Sequence, residues 1–272
     1  MRAIVMLALY MTLALNLTGQ VEPLATVEQL SSVVIAERPS IDRTQIWVGI
    51  DSDVLPQVAD GNYWKTTIIL VNMDTDPAQY RLTFIKSGGT PLDLDFVGLG
   101  RGSVVSGTIP VNGSVVIETS GTSETLSQGF AMLESPNYKD VNGYGIFRQR
   151  LPWRTYDFEA VVPFSNRYDD DYILPFDNTS GFTTSMAIVN PSTYSNAVVT
   201  VAFYDNSGAR FHLDQFTMTP LEHAAFATDI RWPQTVGKRG IAVFTVSPWG
   251  APSLGLRFNW TGPFTSTHAL SR

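Results

Sequence analysis

Beyond Arg43 the chain falls into short runs of five to eight residues rich in Val, Ile, Thr, Phe and Tyr, each bounded by Gly, Pro, Asn, Asp or Ser. Branched and aromatic runs separated by turn formers are the mark of successive β-strands. No window after the first twenty residues keeps apolar side chains at i, i+3, i+4 and i+7 for three turns, and 21 Gly with 16 Pro would interrupt helices repeatedly. The pattern predicts an all-β fold.

The N-terminus departs from it. Ala3 to Leu15 is an unbroken apolar run of thirteen residues behind Met1-Arg2, and Asn16, Thr18 and Gln20 end it. A membrane-spanning helix needs about 20 apolar residues, so the run has the length of a signal-peptide core, with cleavage after Gly19. The alternative is an uncleaved anchor. Residues 20–43 read as a linker or leading strand, with one apolar cluster at Val33, Val34 and Ile35.

The strand runs repeat. Trp64 to Asn72 (WKTTIILVN) returns as Phe182 to Asn190 (FTTSMAIVN), with Thr66/Thr184, Val71/Val189 and Asn72/Asn190 identical. Tyr80 to Phe84 aligns with Val199 to Phe203, the SGG turn at Ser87 to Gly89 with the NSG turn at Asn206 to Gly208, and Gly129 to Leu133 with Gly240 to Phe244. Thr108 to Ile117 aligns with Met218 to Ala227 through the shared proline, and Gly143 to Gln149 with Ser253 to Asn259 through the central glycine. In that last pair Phe and Arg exchange order, which leaves the register open by one residue. The offset drifts only between about 110 and 120 residues, so the pattern is two copies of one unit rather than a solenoid.

Six or seven strands in about 100 residues are usually solved as two antiparallel sheets packed face to face. The expectation is therefore two tandem immunoglobulin-like antiparallel β-sandwiches, at 44–157 and 158–272, after a signal peptide at 1–19. Phe158 to Phe164 opens the second sandwich or equally closes the first. The segments Pro175 to Ser192 and Leu254 to Ser266 resemble those of exported bacterial proteins built from paired β-sandwich units. That resemblance implies fold and export and carries no chemistry.

Composition narrows the function classes. A formal charge of −7 argues against a surface that tracks nucleic-acid phosphates, which needs clustered Lys and Arg. Zero cysteines remove disulfides, zinc-thiolate sites and thiol nucleophiles together. His212, His223 and His268 have neither strand-face i, i+2 spacing nor a G-x-S-x-G elbow to serve, and read as exposed polar residues. Asp169 to Asp171 and the pairs Asp51/Asp53, Asp74/Asp76 and Asp93/Asp95 match no calcium loop and read as solvated turns. For a carboxylate-dependent hydrolase, Glu134 with Asp140 or the Asp169 to Asp171 run are the candidates, and no spacing singles out a pair.

Aromatic residues in loops offer a platform for sugar rings. Trp64 pairs with Phe182 in the repeat and Trp47 falls in a strand, so both read as core. Trp153, Trp232 and Trp249 each adjoin Pro or Gly and are the candidate ligand-binding residues. Asn72 and Asn190, each at the end of an apolar strand, read as caps of the following turn. The expectation is an exported, non-enzymatic protein with no cofactor or metal, in a structural, adhesive or surface-interaction role toward protein or polysaccharide. Carbohydrate binding through the loop tryptophans is the alternative.

Overall fold

In the computed structural model, which describes residues 34–35, 52–136, 140–165, 171–248 and 250–272, the turn-bounded runs form antiparallel strands and almost nothing else. The segment expected as a signal peptide, Trp47, Trp249, Asp51, Asp169 and Asp170 lie outside the described residues.

The strands are β1 (Val34–Ile35), β2 (Asp53–Asp60), β3 (Trp64–Asn72), β4 (Ala78–Ile85), β5 (Leu94–Phe96) and β6 (Gly100–Gly102). Next come β7 (Val104–Ile109), β8 (Ser114–Glu118), β9 (Ser127–Glu134), β10 (Val141–Gln149) and β11 (Phe158–Pro163). The second half holds β12 (Asp171–Asp177), β13 (Phe182–Val189), β14 (Ala197–Asp205), β15 (Arg210–Met218) and β16 (His223–Ala227). A one-turn helix α1 (Thr228–Arg231) then precedes β17 (Arg239–Ser247), β18 (Ser253–Asn259), β19 (Phe264–Thr267) and β20 (Leu270–Ser271).

The fold is all-β and sandwich-like. In the first half a sheet ordered β1-β7-β4-β9-β2 faces one ordered β11-β10-β3-β8, and in the second β15-β14-β17-β12-β20 faces β16-β13-β18-β19. Strand for strand, β7-β4-β9-β2 corresponds to β15-β14-β17-β12, and β11-β10-β3-β8 to β19-β18-β13-β16. The strand at Phe158 to Pro163 is hydrogen-bonded to β10 along its whole length, so of its two expected placements it takes the one in the first half.

Two polar side chains recur at the same points of both halves. Nδ2 of Asn72 donates to the carbonyls of Asp76, Ile109 and Pro110 while its Oδ1 accepts from Asp74 N. Nδ2 of Asn190 donates to Ser195, Met218 and Thr219, and its Oδ1 accepts from Ser192 N. These are the turn caps expected of them. Thr66 likewise exchanges two hydrogen bonds with the backbone of Ala59, as Thr184 does with Asp177.

Pairing also fixes the registers. Gly145 lies opposite Ile68 and Gly255 opposite Met186, so the central glycines are equivalent and the exchange of Phe147 with Arg257 is a substitution, not a slip. The proline alignment, by contrast, is displaced by one residue. Ile109 and Met218 hold the same place against Asn72 and Asn190, because Pro110 is the first residue of its turn and Pro220 the second of its own.

The halves share a core. Leu82, Phe84 and Leu133 of one sheet meet Ile68, Leu70 and Phe147 of the other, and the same cluster takes in Ala187, Leu254, Leu256 and Phe264 from the second half. Along β13, Met186 and Ile188 point into their own sandwich while Ala187 points out of it. The second half of β13 is thus buried on both faces, and there Met186 to Val189 run continuously apolar instead of alternating. Burying Leu254, Leu256 and Phe264 contributes about 1.5–3 kcal/mol each. A second seam, on the outer face of the first sheet, joins Val54, Ile85, Phe130 and Met132 to Val189 and Leu221.

Candidate functional site

At one end of the first half, the β2–β3 turn, the loop after β8 and the segment following β10 enclose an open groove of about 820 Å³. Its walls carry Tyr63, Lys65, Glu124, Arg148, Arg150, Arg154 and Asp157, with hydroxyls from Ser120, Thr122 and Ser123.

The turn that forms one wall is unusual. Gly61, Asn62 and Tyr63 all have positive φ, at 83°, 47° and 74°. Glycine and asparagine tolerate that region, but a bulky residue there is an outlier that persists only where its surroundings hold it. They do so here. Gly61 and Trp64 exchange two backbone bonds at 2.9 and 3.0 Å, Asn62 N donates to Ser123 O at 2.8 Å, and Arg150 N donates to Tyr63 O at 2.9 Å. Gly121, also at positive φ, donates its N–H to Asp60 Oδ1 at 2.8 Å, and a Cβ added there would lie 3.1 Å from Trp64 O.

The charges are arranged in two tiers. Lys65 is ion-paired to Glu118, and Arg148 meets Glu159 at 2.7 Å and Asp157 at 3.5 Å. Burial opposes the Glu118 charge, yet hydrogen bonds from Lys65 and Thr67 outweigh it and hold the carboxyl below its usual range. The hydrogen bond to Glu159 raises the Arg148 pKa further. The second tier is less engaged. Arg150 is 66% exposed and, among the described residues, its only ion pair is with Asp157, at 3.6 Å. Arg154 donates to Tyr156 Oη at 3.2 Å and to Thr261 O at 3.4 Å, while its Nε is shielded from solvent with no acceptor among the described residues.

Tyr63 lines this groove, and further exposed aromatic rings are carried on the chain next to its lining residues or their partners. Trp153, between two groove-lining residues, is 71% exposed, and Tyr63 and Tyr156 are also exposed. Trp260, 82% exposed, precedes the Thr261 that accepts from Arg154. Mixed donors, acceptors and free ring faces are what a sugar chain requires, since its hydroxyls hydrogen-bond while its C–H faces stack.

Of the two described tryptophans singled out from sequence, Trp153 adjoins residues that line this groove. Trp232 is a correction: it is 2% exposed, packed against Phe203 and Phe226, with its indole N–H on Asp214 at 2.8 Å. That hydrogen bond holds the Asp214 carboxyl below its ordinary range. The physical reason is α1, a helix of four residues too short to show periodicity, which turns Trp232 into the second core. Trp249 lies outside the described residues. Tyr63, Tyr156 and Trp260 were missed. A signal for part of the site existed in Arg148 to Tyr156, where three arginines stand with a tryptophan and a tyrosine, a stretch that reads as a join between domains.

The other candidates are dispersed. His223 is not an exposed polar residue but sits at the seam, Nε2 2.7 Å from Gln57 Oε1 and stacked on Phe130. Asp95 pairs with Arg101 at 2.8 Å, and Asp74 caps Thr75. Glu134 approaches Arg81 at 3.8 Å, and burial outweighs that arginine to raise its pKa. Among the described residues no three His, Cys, Asp or Glu side chains are grouped to hold a metal ion. A second cavity, of about 230 Å³, lies between the halves and is lined mainly by apolar side chains such as Trp64, Phe147, Met186, Phe226 and Leu256. No helix among the described residues is long and apolar enough to cross a membrane. Comparison with family models, curated proteins and solved structures found no match.

Proposed function

We propose that the chain is an exported, non-catalytic surface-interaction protein, built from two duplicated immunoglobulin-like sandwiches, whose ligand is carbohydrate. The groove beside Arg150 and Arg154 carries this reading, because its lining combines hydroxyl, carboxylate and guanidinium groups with exposed Tyr63, and exposed Trp153 lies in the chain between its lining residues Pro152 and Arg154. Duplication is supported by the equal strand order of the halves and by the matching Asn72 and Asn190 networks. Export is supported by the apolar run at Ala3 to Leu15.

The turn and loops that carry the site are tied to one another and to the packed strands by the backbone bonds Asn62 N to Ser123 O and Arg150 N to Tyr63 O, which gives it a firm base. The test is tryptophan fluorescence of the secreted protein against a panel of soluble neutral and acidic polysaccharides. Saturable quenching that Trp153→Ala removes is the expected result. A flat response across the panel would sink the proposal.

A further inference from the structure

Resting on that carbohydrate reading, we propose that the ligand is acidic: a polysaccharide carrying carboxylates on its sugar rings, held by Arg150 and Arg154. Lys65 and Arg148 are answered by Glu118, Asp157 and Glu159, and have little charge to offer. Arg150 and Arg154 differ. Among the described residues the single anionic contact of Arg150, at 3.6 Å, is too long for a hydrogen bond, and the acceptors of Arg154 are neutral oxygens. The guanidinium fork matches a carboxylate in shape as well as charge.

A polyphosphate would bring the same charge but meets a less suitable wall. Glu124 and Asp157 line the groove, with Glu118 and Glu159 paired beside it, and the whole chain carries −7. A phosphate chain brings charge without hydroxyls, whereas a uronate ring brings its carboxylate to the arginines together with hydroxyls that can use Ser120, Thr122 and Ser123.

The second half lacks this chemistry. The backbone bond from Arg150 N to Tyr63 O has its counterpart in Trp260 N to Gly181 O, and Trp260 lies against Gly181. The pairing places Thr183 where Lys65 stands and Phe258 where Arg148 stands. One acidic-glycan site per chain is therefore expected despite the repeated fold.

The experiment is calorimetric titration of the full secreted chain with oligogalacturonate, with its methyl ester, and with neutral xylan fragments. Oligogalacturonate should bind at one site per chain, about tenfold or more tighter than the ester. The double variant Arg150→Gln, Arg154→Gln should erase that difference, and Trp153→Ala should weaken both forms. If the double variant does not fold, Arg150→Gln alone, at an exposed position, serves in its place. Equal affinity for acid and ester, or binding of the neutral sugars alone, overturns the acidic ligand and leaves the carbohydrate reading standing. Binding of none of the three overturns both.

Discussion

Nε2 of His223 lies 2.7 Å from Oε1 of Gln57, so β16 of the second half is tied to β2 of the first through a neutral imidazole. A neutral imidazole has one N–H for the two acceptors beside it, Gln57 Oε1 and the Pro56 carbonyl. Ser87 Oγ accepts from the backbone N–H of the same residue at 3.1 Å, and Phe130 covers the ring. Burial lowers the His223 pKa from 6.5 to about 4, against the pull of the Pro56 carbonyl toward the charged form.

The sign follows from linkage. Between pH 6.5 and about 4 the unfolded chain binds a proton that the folded one refuses, so the stabilisation is complete above 6.5 and is lost as the pH falls to about 4. Thermal melting of wild type should therefore fall more steeply over that window than melting of His223→Gln. Parallel pH profiles would show that the seam does not depend on the neutral ring.

Asn72 and Asn190 each satisfy three carbonyls and one N–H from a single buried side chain. Replacing either by Ala strands those groups, at a cost of about 2–4 kcal/mol. Asn→Asp at the same positions should cost at least as much, because a carboxylate accepts but cannot donate to three carbonyls. Urea unfolding of the four single variants measures this. A cost below about 0.5 kcal/mol at both positions would assign the turns to backbone bonding alone.

Phe264 stands between the halves, with ring centroids 5.3 Å from Trp64 and 5.2 Å from Phe258. Since one cluster runs through both sandwiches, wild type should unfold in one cooperative step. Phe264→Ala should remove about 3–5 kcal/mol and separate the transition into two, visible by calorimetry as a van't Hoff enthalpy smaller than the calorimetric one. Two transitions already present in wild type would mean that the seam contributes little.

The strands and their order of recurrence were legible because turn formers and apolar runs are local signals, and Asn72 and Asn190 were legible because a cap needs only its own turn. The register of β7 and β8 against β15 and β16 was read one residue out, since Pro110 and Pro220 look equivalent in sequence and occupy different turn positions. The groove was mostly hidden. Trp153 announced itself beside Pro152, but Tyr63, Arg150 and Trp260 come together only through the β3–β10 pairing and the fit of the second half. Trp232 was misplaced for a related reason: proline after it suggested a loop at the surface, and the helix that buries it is a single turn.

Tyr63 offers the sharpest separation of stability from binding. At φ 74° its backbone is strained by about 1–2 kcal/mol for a residue with a Cβ, while its ring is exposed and contributes little packing. Glycine relieves that strain at an entropic cost of about 0.5–1 kcal/mol. Tyr63→Gly should therefore leave stability unchanged or raise it by up to about 1 kcal/mol, while weakening sugar binding by the loss of a stacking face. Chemical denaturation and the same glycan titration, run on one variant, read both quantities. A variant that loses stability and keeps binding would reverse the assignment, making Tyr63 a packing residue and placing the sugar against Trp153 and Tyr156 alone.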